Sequence, residues 1–316
     1  MGKETYIEWT DATFNPWEGC TKVSPGCKNC YALARNMRFH GGSNWGKGAP
    51  RRRTGKDTWR EPRRMNLRAA QAVNDFEGHS ALHGGKPHYD SPRRPRIFCA
   101  SLADWLDPEV PVEWLRDLLE LVRTSTFLDW QLLTKRPELW AERLEAAQDW
   151  DFDHGNRELA GWLSDWRKHG RAPANVWVGT SVENQAMADL RIPQLSLIPA
   201  RVRFLSIEPL LEAVDLSYPK SIFPNGVPHC CSGFECACHG RPTEPPLVEA
   251  VNWVIVGGES GPDRRDCGVE AITSVAIECG AAGVPVFVKQ DCAPKAGTQG
   301  RISAPIWSLK QFPTSA

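Results

Sequence analysis

Six short apolar runs set the fold class of this chain. They read RIFCAS at 96–101, DWQLLTK at 129–135, NVWVGTS at 175–181, RVRFLSIEP at 201–209, NWVIVGGES at 252–260 and PVFVKQ at 285–290. Runs this rich in Val, Ile, Leu, Phe and Trp suit strands buried on both faces, which is the habit of parallel sheets. Stretches of helical period alternate with them. PVEWLRDLLELVR at 111–123 opens on Pro just after Asp107 and puts Trp114, Leu115, Leu118, Leu119 and Val122 on one face. PELWAERLEAA at 137–147 and VEAITSVAIECGAAG at 269–283 repeat the pattern, the second ending in glycines suited to a helix C-terminus. The alternation predicts βα units: an α/β fold whose parallel strands form a partial or modified TIM-type (β/α) barrel.

A chain of 316 residues holds one large domain or two ordinary ones. The spacing favours a single barrel domain over 1–316 with two loop insertions. One, at about 38–93, is basic and rich in Gly, Pro and Arg, with a helical middle near MNLRAAQAVNDF; the other, at about 217–249, is rich in Cys and His. Neither carries enough apolar residues for a core of its own. A hydrophobic content of 41% with 24% charged residues excludes a disordered or fibrous chain. No apolar run approaches the roughly 18 to 20 residues that span a bilayer. The opening MGKETYIEWTDATFNPW has no signal-peptide core, and Tyr6 stands where a myristoylation signal needs Ser or Thr. The expectation is a soluble cytoplasmic protein without a membrane partner.

In barrels of this kind the chemistry sits at the carboxyl ends of the strands. Here those ends carry Ser101 and Asp104, Lys135 and Arg136, Ser181 and Glu183, Glu208, Glu259, then Lys289 and Gln290. Polar loops account for one or two such ends; six in succession predict a polar-lined cavity at the barrel mouth.

The eleven cysteines are clustered, and in an intracellular chain clustered cysteines speak for metal or redox chemistry rather than disulfides. GCTKVSPGCKNCYA at 19–32 holds Cys20, Cys27 and Cys30. Two readings stay open. A structural zinc closes its tetrahedron with four ligands, and the nearest histidine is His40. An iron–sulfur cluster on three thiolates leaves one iron without a protein ligand, a place for a substrate or cofactor. HCCSGFECACHG offers a second possible metal site from His229, Cys230, Cys231, Cys236, Cys238 and His239, with zinc ahead of iron, to staple an insertion that lacks a core. Cys99, Cys267, Cys279 and Cys292 are scattered and read for the most part as small core residues.

The cysteine loop, closing as CxxC before the aromatic Tyr31, resembles the cluster loop of radical S-adenosylmethionine (radical SAM) enzymes. More closely, IEWTDATFNPWEGCTKVSPGCKNCYA (7–32), QLLTKRPE (131–138), FLSIEPLL (204–211), WVIVGGESG (253–261) and FVKQ (287–290) resemble a phage and bacterial three-cysteine-motif family of unknown function placed near those enzymes. The first gap here is six residues where the common radical spacing has three. Gly257-Gly258-Glu259 follows a late strand, whereas the Gly-Gly-Glu of those enzymes follows the second.

The resemblance implies a [4Fe–4S] cluster on Cys20, Cys27 and Cys30, with S-adenosylmethionine chelating the open iron. Reductive cleavage would give methionine and a 5′-deoxyadenosyl radical that abstracts hydrogen from a substrate, and an electron donor protein would supply the electron. It further implies roles by position. Tyr31 packs near the adenine or the cluster. Glu259, with Gly257 and Gly258, meets the methionine amino group. Ser181 and Glu208 serve the carboxylate side and the ribose hydroxyls. Lys135, Arg136 and Lys289 are the catalytic-site candidates, holding an anionic substrate or the methionine carboxylate.

Net charge is zero, yet residues 33–73 carry eleven Lys or Arg against two acids. With His40, Trp45 and Trp59 available for base stacking, this segment is a candidate nucleic-acid surface, and a nucleic acid or nucleotide is a candidate substrate. Two readings compete with the radical enzyme: a non-catalytic zinc-binding protein that interacts with nucleic acid, and an iron–sulfur redox or sensor protein.

Overall fold

The computed structural model describes residues 5–82, 90–217 and 247–314. Its centre is a seven-stranded sheet in the order β1 (Ala12–Phe14), β4 (Arg96–Cys99), β5 (Asp129–Thr134), β6 (Val176–Ser181), β7 (Val202–Ile207), β8 (Trp253–Gly257) and β9 (Val286–Gln290). Every pairing is parallel. Strand order follows chain order without reversal, so each crossover advances one strand in the same sense. The sheet therefore curls into a half-barrel with one inner and one outer face. A separate two-stranded antiparallel ribbon joins β2 (Trp17–Glu18) to β3 (Arg52–Arg53).

The six apolar runs are six of these strands. β1 is the seventh, too short at three residues to carry a pattern of its own. The outer face is covered by α3 (Val112–Thr124), α4 (Trp140–Asp153), α5 (Arg157–Lys168), α6 (Gln185–Ser196) and α7 (Val269–Ala281). Ile97, Leu132, Val178, Leu205, Val254 and Val288 from alternate strand positions pack there with Leu115, Leu118, Leu119, Ile192 and Val275 in one core. Each such side chain contributes roughly 1.5 to 3 kcal/mol by leaving water. The remaining helices are α1 (Tyr31–His40), α2 (Lys56–Leu82) and α8 (Ala304–Trp307). The helical middle expected near 65–76 belongs to α2, whose 27 residues bury only Pro62 fully.

The inner face changes character along the strands. Side chains of a strand alternate between faces, so every second residue looks inward. At the amino-terminal ends these are Phe98, Trp177, Phe204, Trp253 and Phe287, which with Trp9 form a separate aromatic cluster. Trp253 stands edge-on to Trp177 with ring centroids 5.9 Å apart, and Trp9 lies 4.6 Å from Phe98. Gly179 is required here, because a Cβ would collide with the Phe204 ring. Further along the same strands on the same face come Ser181, Ser206 and Lys289, and they line a cavity. The half-barrel thus has a dry aromatic floor and a polar mouth.

Candidate functional site

The cavity at the mouth has a volume of about 460 Å³, within the roughly 300–1,000 Å³ usual for small-molecule sites. All three loop cysteines line it, together with Tyr31, Lys135, Arg136, Ser181, Glu208, Glu259 and Lys289. The polar strand ends are therefore brought together as expected, with two exceptions. Glu183 is buried in an ion pair with Arg191, and Gln290 turns beneath β8 to donate to Gly258 O. Ser206, missed in the sequence, joins Ser181 on the inner face. Its place is readable once the alternation Phe204, Ser206, Glu208 is laid along β7.

The cysteine loop is pinned to the barrel from both sides. On one side Arg136, buried, reaches from the end of β5. Its Nη1 donates to Asp104 Oδ2 at 2.9 Å, its Nη2 to Thr21 O at 2.9 Å, and both nitrogens lie 3.6 and 3.7 Å from Cys20 Sγ. Asp104 also accepts from Thr134 Oγ1 and from the backbone of Leu106 and Lys135, so its carboxylate is a hub. Burial pushes the Cys20 thiol up to about 12, Asp104 adds to the rise, and Arg136 opposes it. A thiol so placed forms a thiolate when a cation arrives to share it.

On the other side, a 3₁₀ turn at Pro25–Cys27 presents Gly26 N to Glu183 Oε1 at 3.1 Å. Asn29 donates to Glu259 Oε2 at 3.0 Å and to Asp263 O at 2.7 Å, and Arg265 Nη1 donates to Pro25 O at 3.0 Å. Cys30 is the residue preceding α1, and Tyr31 donates to Ser101 O at 2.5 Å.

Several side chains expected to meet a ligand are held by the protein itself. Glu259 is buried and accepts from Arg265 Nη2 at 2.6 Å, Arg265 Nε at 3.0 Å and Arg265 N at 2.8 Å, besides Asn29. Burial alone would raise its carboxyl, but the hydrogen bonds from Arg265 and Asn29 outweigh this and hold it below the usual carboxylate value. The room left by Gly257 and Gly258 is filled by Gln290 and by Cys292. Lys289 is ion-paired to Glu208. Lys135 differs: its backbone is tied to Asp104, while among the described residues its ammonium has no ion pair. It is the candidate cation left open to the cavity.

A tetrahedral zinc holds its thiolates about 3.8 Å apart. Among the described residues, the group of three metal-competent side chains with ligand atoms all within 4.8 Å is Asp266, Cys267 and Cys292; Cys20, Cys27 and Cys30 are not drawn together to that degree. His40 Nε2 lies 3.6 Å from Glu18 Oε2.

The basic segment divides. Arg51 is buried against Asp107 and braces Thr21, Arg52 pairs with Glu18, and Arg53 pairs with Asp117 beneath Trp59. Trp59 packs edge-on against Phe14 with Arg53 over its ring, while the backbone of Trp45 bridges that of Cys20 and its side chain lines the cavity. Arg63 and Arg68 on α2 are exposed. Cys99 and Cys279 are buried core residues, whereas Cys267 and Cys292 face each other. Cys230, Cys231, Cys236, Cys238, His229 and His239 lie outside the described residues. Among the described residues, no helix is long and apolar enough to cross a membrane.

The chain belongs to the family described as "Protein of unknown function (DUF5131)", which matches residues 4–302. No curated protein matches it.

Proposed function

We propose that this chain is a radical SAM-type iron–sulfur enzyme built on a partial TIM-type barrel, with Cys20, Cys27 and Cys30 as the ligands of a [4Fe–4S] cluster. The observation that carries this reading is the convergence of three thiols on a single cavity at the carboxyl ends of a parallel half-barrel. When bound, the cluster supplies an iron free to take the amino and carboxylate groups of S-adenosylmethionine and an electron to cleave its sulfonium.

The chain's own residues bind, orient and exclude water. Arg136 and the Asn29–Glu259 contact fix the two flanks of the cysteine loop, so the thiols keep one geometry. Lys135 meets an anionic group, whether the methionine carboxylate or the substrate. Ser181 and Ser206 offer hydroxyls to the ribose. Glu208, neutralised by Lys289, accepts from a ligand donor without leaving a bare charge in the cavity. Tyr31 stands at the rim, its hydroxyl fixed on Ser101. The aromatic floor keeps water from entering beneath the reacting groups. A nucleic acid or nucleotide is the proposed substrate class, with the exposed cations of α2 as its outer contact, and an electron donor protein is the implied partner.

The test is to reconstitute the protein without oxygen, reduce it with dithionite, add S-adenosylmethionine and measure 5′-deoxyadenosine by chromatography. Product that is lost in Cys27→Ala supports the reading. An intact cluster that never cleaves S-adenosylmethionine, with or without nucleic acid present, favours the redox or sensor reading.

A further inference from the structure

The Sγ atoms of Cys267 and Cys292 lie 3.6 Å apart, close to the roughly 3.8 Å edge of a tetrahedral thiolate–zinc site. Asp266 completes a set whose ligand atoms all fall within 4.8 Å. The Cys292 sulfur also has a place made for it. The space it occupies exists only because residue 258 is Gly, where a Cβ would strike this sulfur. Asp266 is also oriented from outside, as metal-binding carboxylates are. Its Oδ1 accepts from Gly268 N at 3.0 Å and Arg301 Nη2 at 2.8 Å, while Oδ2 accepts from Arg301 Nη1 at 2.7 Å and keeps acceptor capacity.

We propose that Asp266, Cys267 and Cys292 form a metal site for a thiophilic divalent cation of the zinc class, separate from the three-cysteine loop. Asp266 is exposed and both thiols are half-buried, so the fourth position faces solvent and takes water. Binding replaces the two thiol protons, which pass to solvent, and Arg301 offsets the remaining negative charge. The site clips the segment after β8 to the second residue after β9. That segment carries Glu259, Asp263 and Arg265, which brace the cysteine loop, so the ion would stiffen the mouth from behind. The inference stands whether or not the cysteine loop holds a cluster.

Cobalt(II) is the probe, added to reduced, metal-free, full-length protein and followed by its thiolate charge-transfer absorption. Other cysteines also take cobalt, so the reading is the difference between the parent and its variants. Cys267→Ser and Cys292→Ser are each expected to lose one equivalent that Cys27→Ser keeps. Asp266→Asn, folded by circular dichroism, is expected to bind that equivalent about tenfold more weakly or worse. Equal stoichiometry and affinity across the parent and these variants would overturn the proposal. A Cys267–Cys292 disulfide found by peptide mapping in protein purified without oxidant would overturn it too.

Discussion

Asn29 donates its amide to Glu259 Oε2 at 3.0 Å, joining the middle of the cysteine loop to the end of β8 across 230 positions of sequence. The same amide reaches Asp263 O, so one short side chain fixes the loop between Cys27 and Cys30 in two directions. Asn29→Ala should therefore cost about 1.5 kcal/mol of stability, the lower range for a hydrogen bond to a charged group, since Arg265 still holds Glu259. Iron retained per chain after reconstitution should fall by a larger fraction than the stability loss explains. Denaturant midpoints and iron analysis on the same preparation check both halves.

Glu259 gives the contact a pH dependence. Its carboxyl is held below the ordinary glutamate value, so its contribution to stability is complete above that value, about 4.3. It is lost as pH falls further, through the depressed value of the folded state. The stability difference between the protein and Glu259→Gln should be constant near pH 6 and shrink steadily below about pH 4. Urea midpoints across that range measure it; a difference that grows on acidification contradicts the assignment.

Arg136→Ala should be the most damaging single change at the mouth. It leaves the buried Asp104 carboxylate without its cation and frees Thr21 O and Cys20, at a cost of about 3 kcal/mol. Arg136→Lys should recover only part, because a point charge does not reproduce the fork that spans Asp104, Thr21 and Cys20. The order protein, lysine variant, alanine variant in thermal midpoint is the expected result.

Lys135 should behave oppositely. Among the described residues its ammonium forms no salt bridge and acts on buried Glu183 only through space, so Lys135→Gln should shift the thermal midpoint far less than Arg136→Ala. Affinity of the reconstituted protein for S-adenosylmethionine, or for the substrate anion, should drop by about 10- to 100-fold, the value of one charge-assisted hydrogen bond. Calorimetric titration distinguishes this from a structural role.

The strands were legible because burial on both faces writes itself into each run, and their polar ends foretold the mouth. What the sequence concealed was of two kinds. α5 and α6 carry Asn156 and Asn184 as caps whose side chains accept from Leu159 N and Met187 N, a usable signal, but Pro193 inside α6 argues against a helix there. The other kind is long-range. Arg136 and Lys289 look like ligand cations in sequence, and only the fold reveals Asp104 and Glu208 beside them. Cys267 and Cys292 look like scattered core residues until β9 is laid against β8. Arg51 reads as part of a basic surface, yet Asp107 lies buried against it.

The most direct test is the electron paramagnetic resonance spectrum of the reduced, reconstituted protein, recorded before and after S-adenosylmethionine is added. A cluster on Cys20, Cys27 and Cys30 with an open iron should give a reduced four-iron signal that changes when S-adenosylmethionine binds and is absent from the Cys20→Ala, Cys27→Ala and Cys30→Ala proteins. A signal indifferent to S-adenosylmethionine, or a colourless protein holding zinc on those three cysteines, would contradict the account.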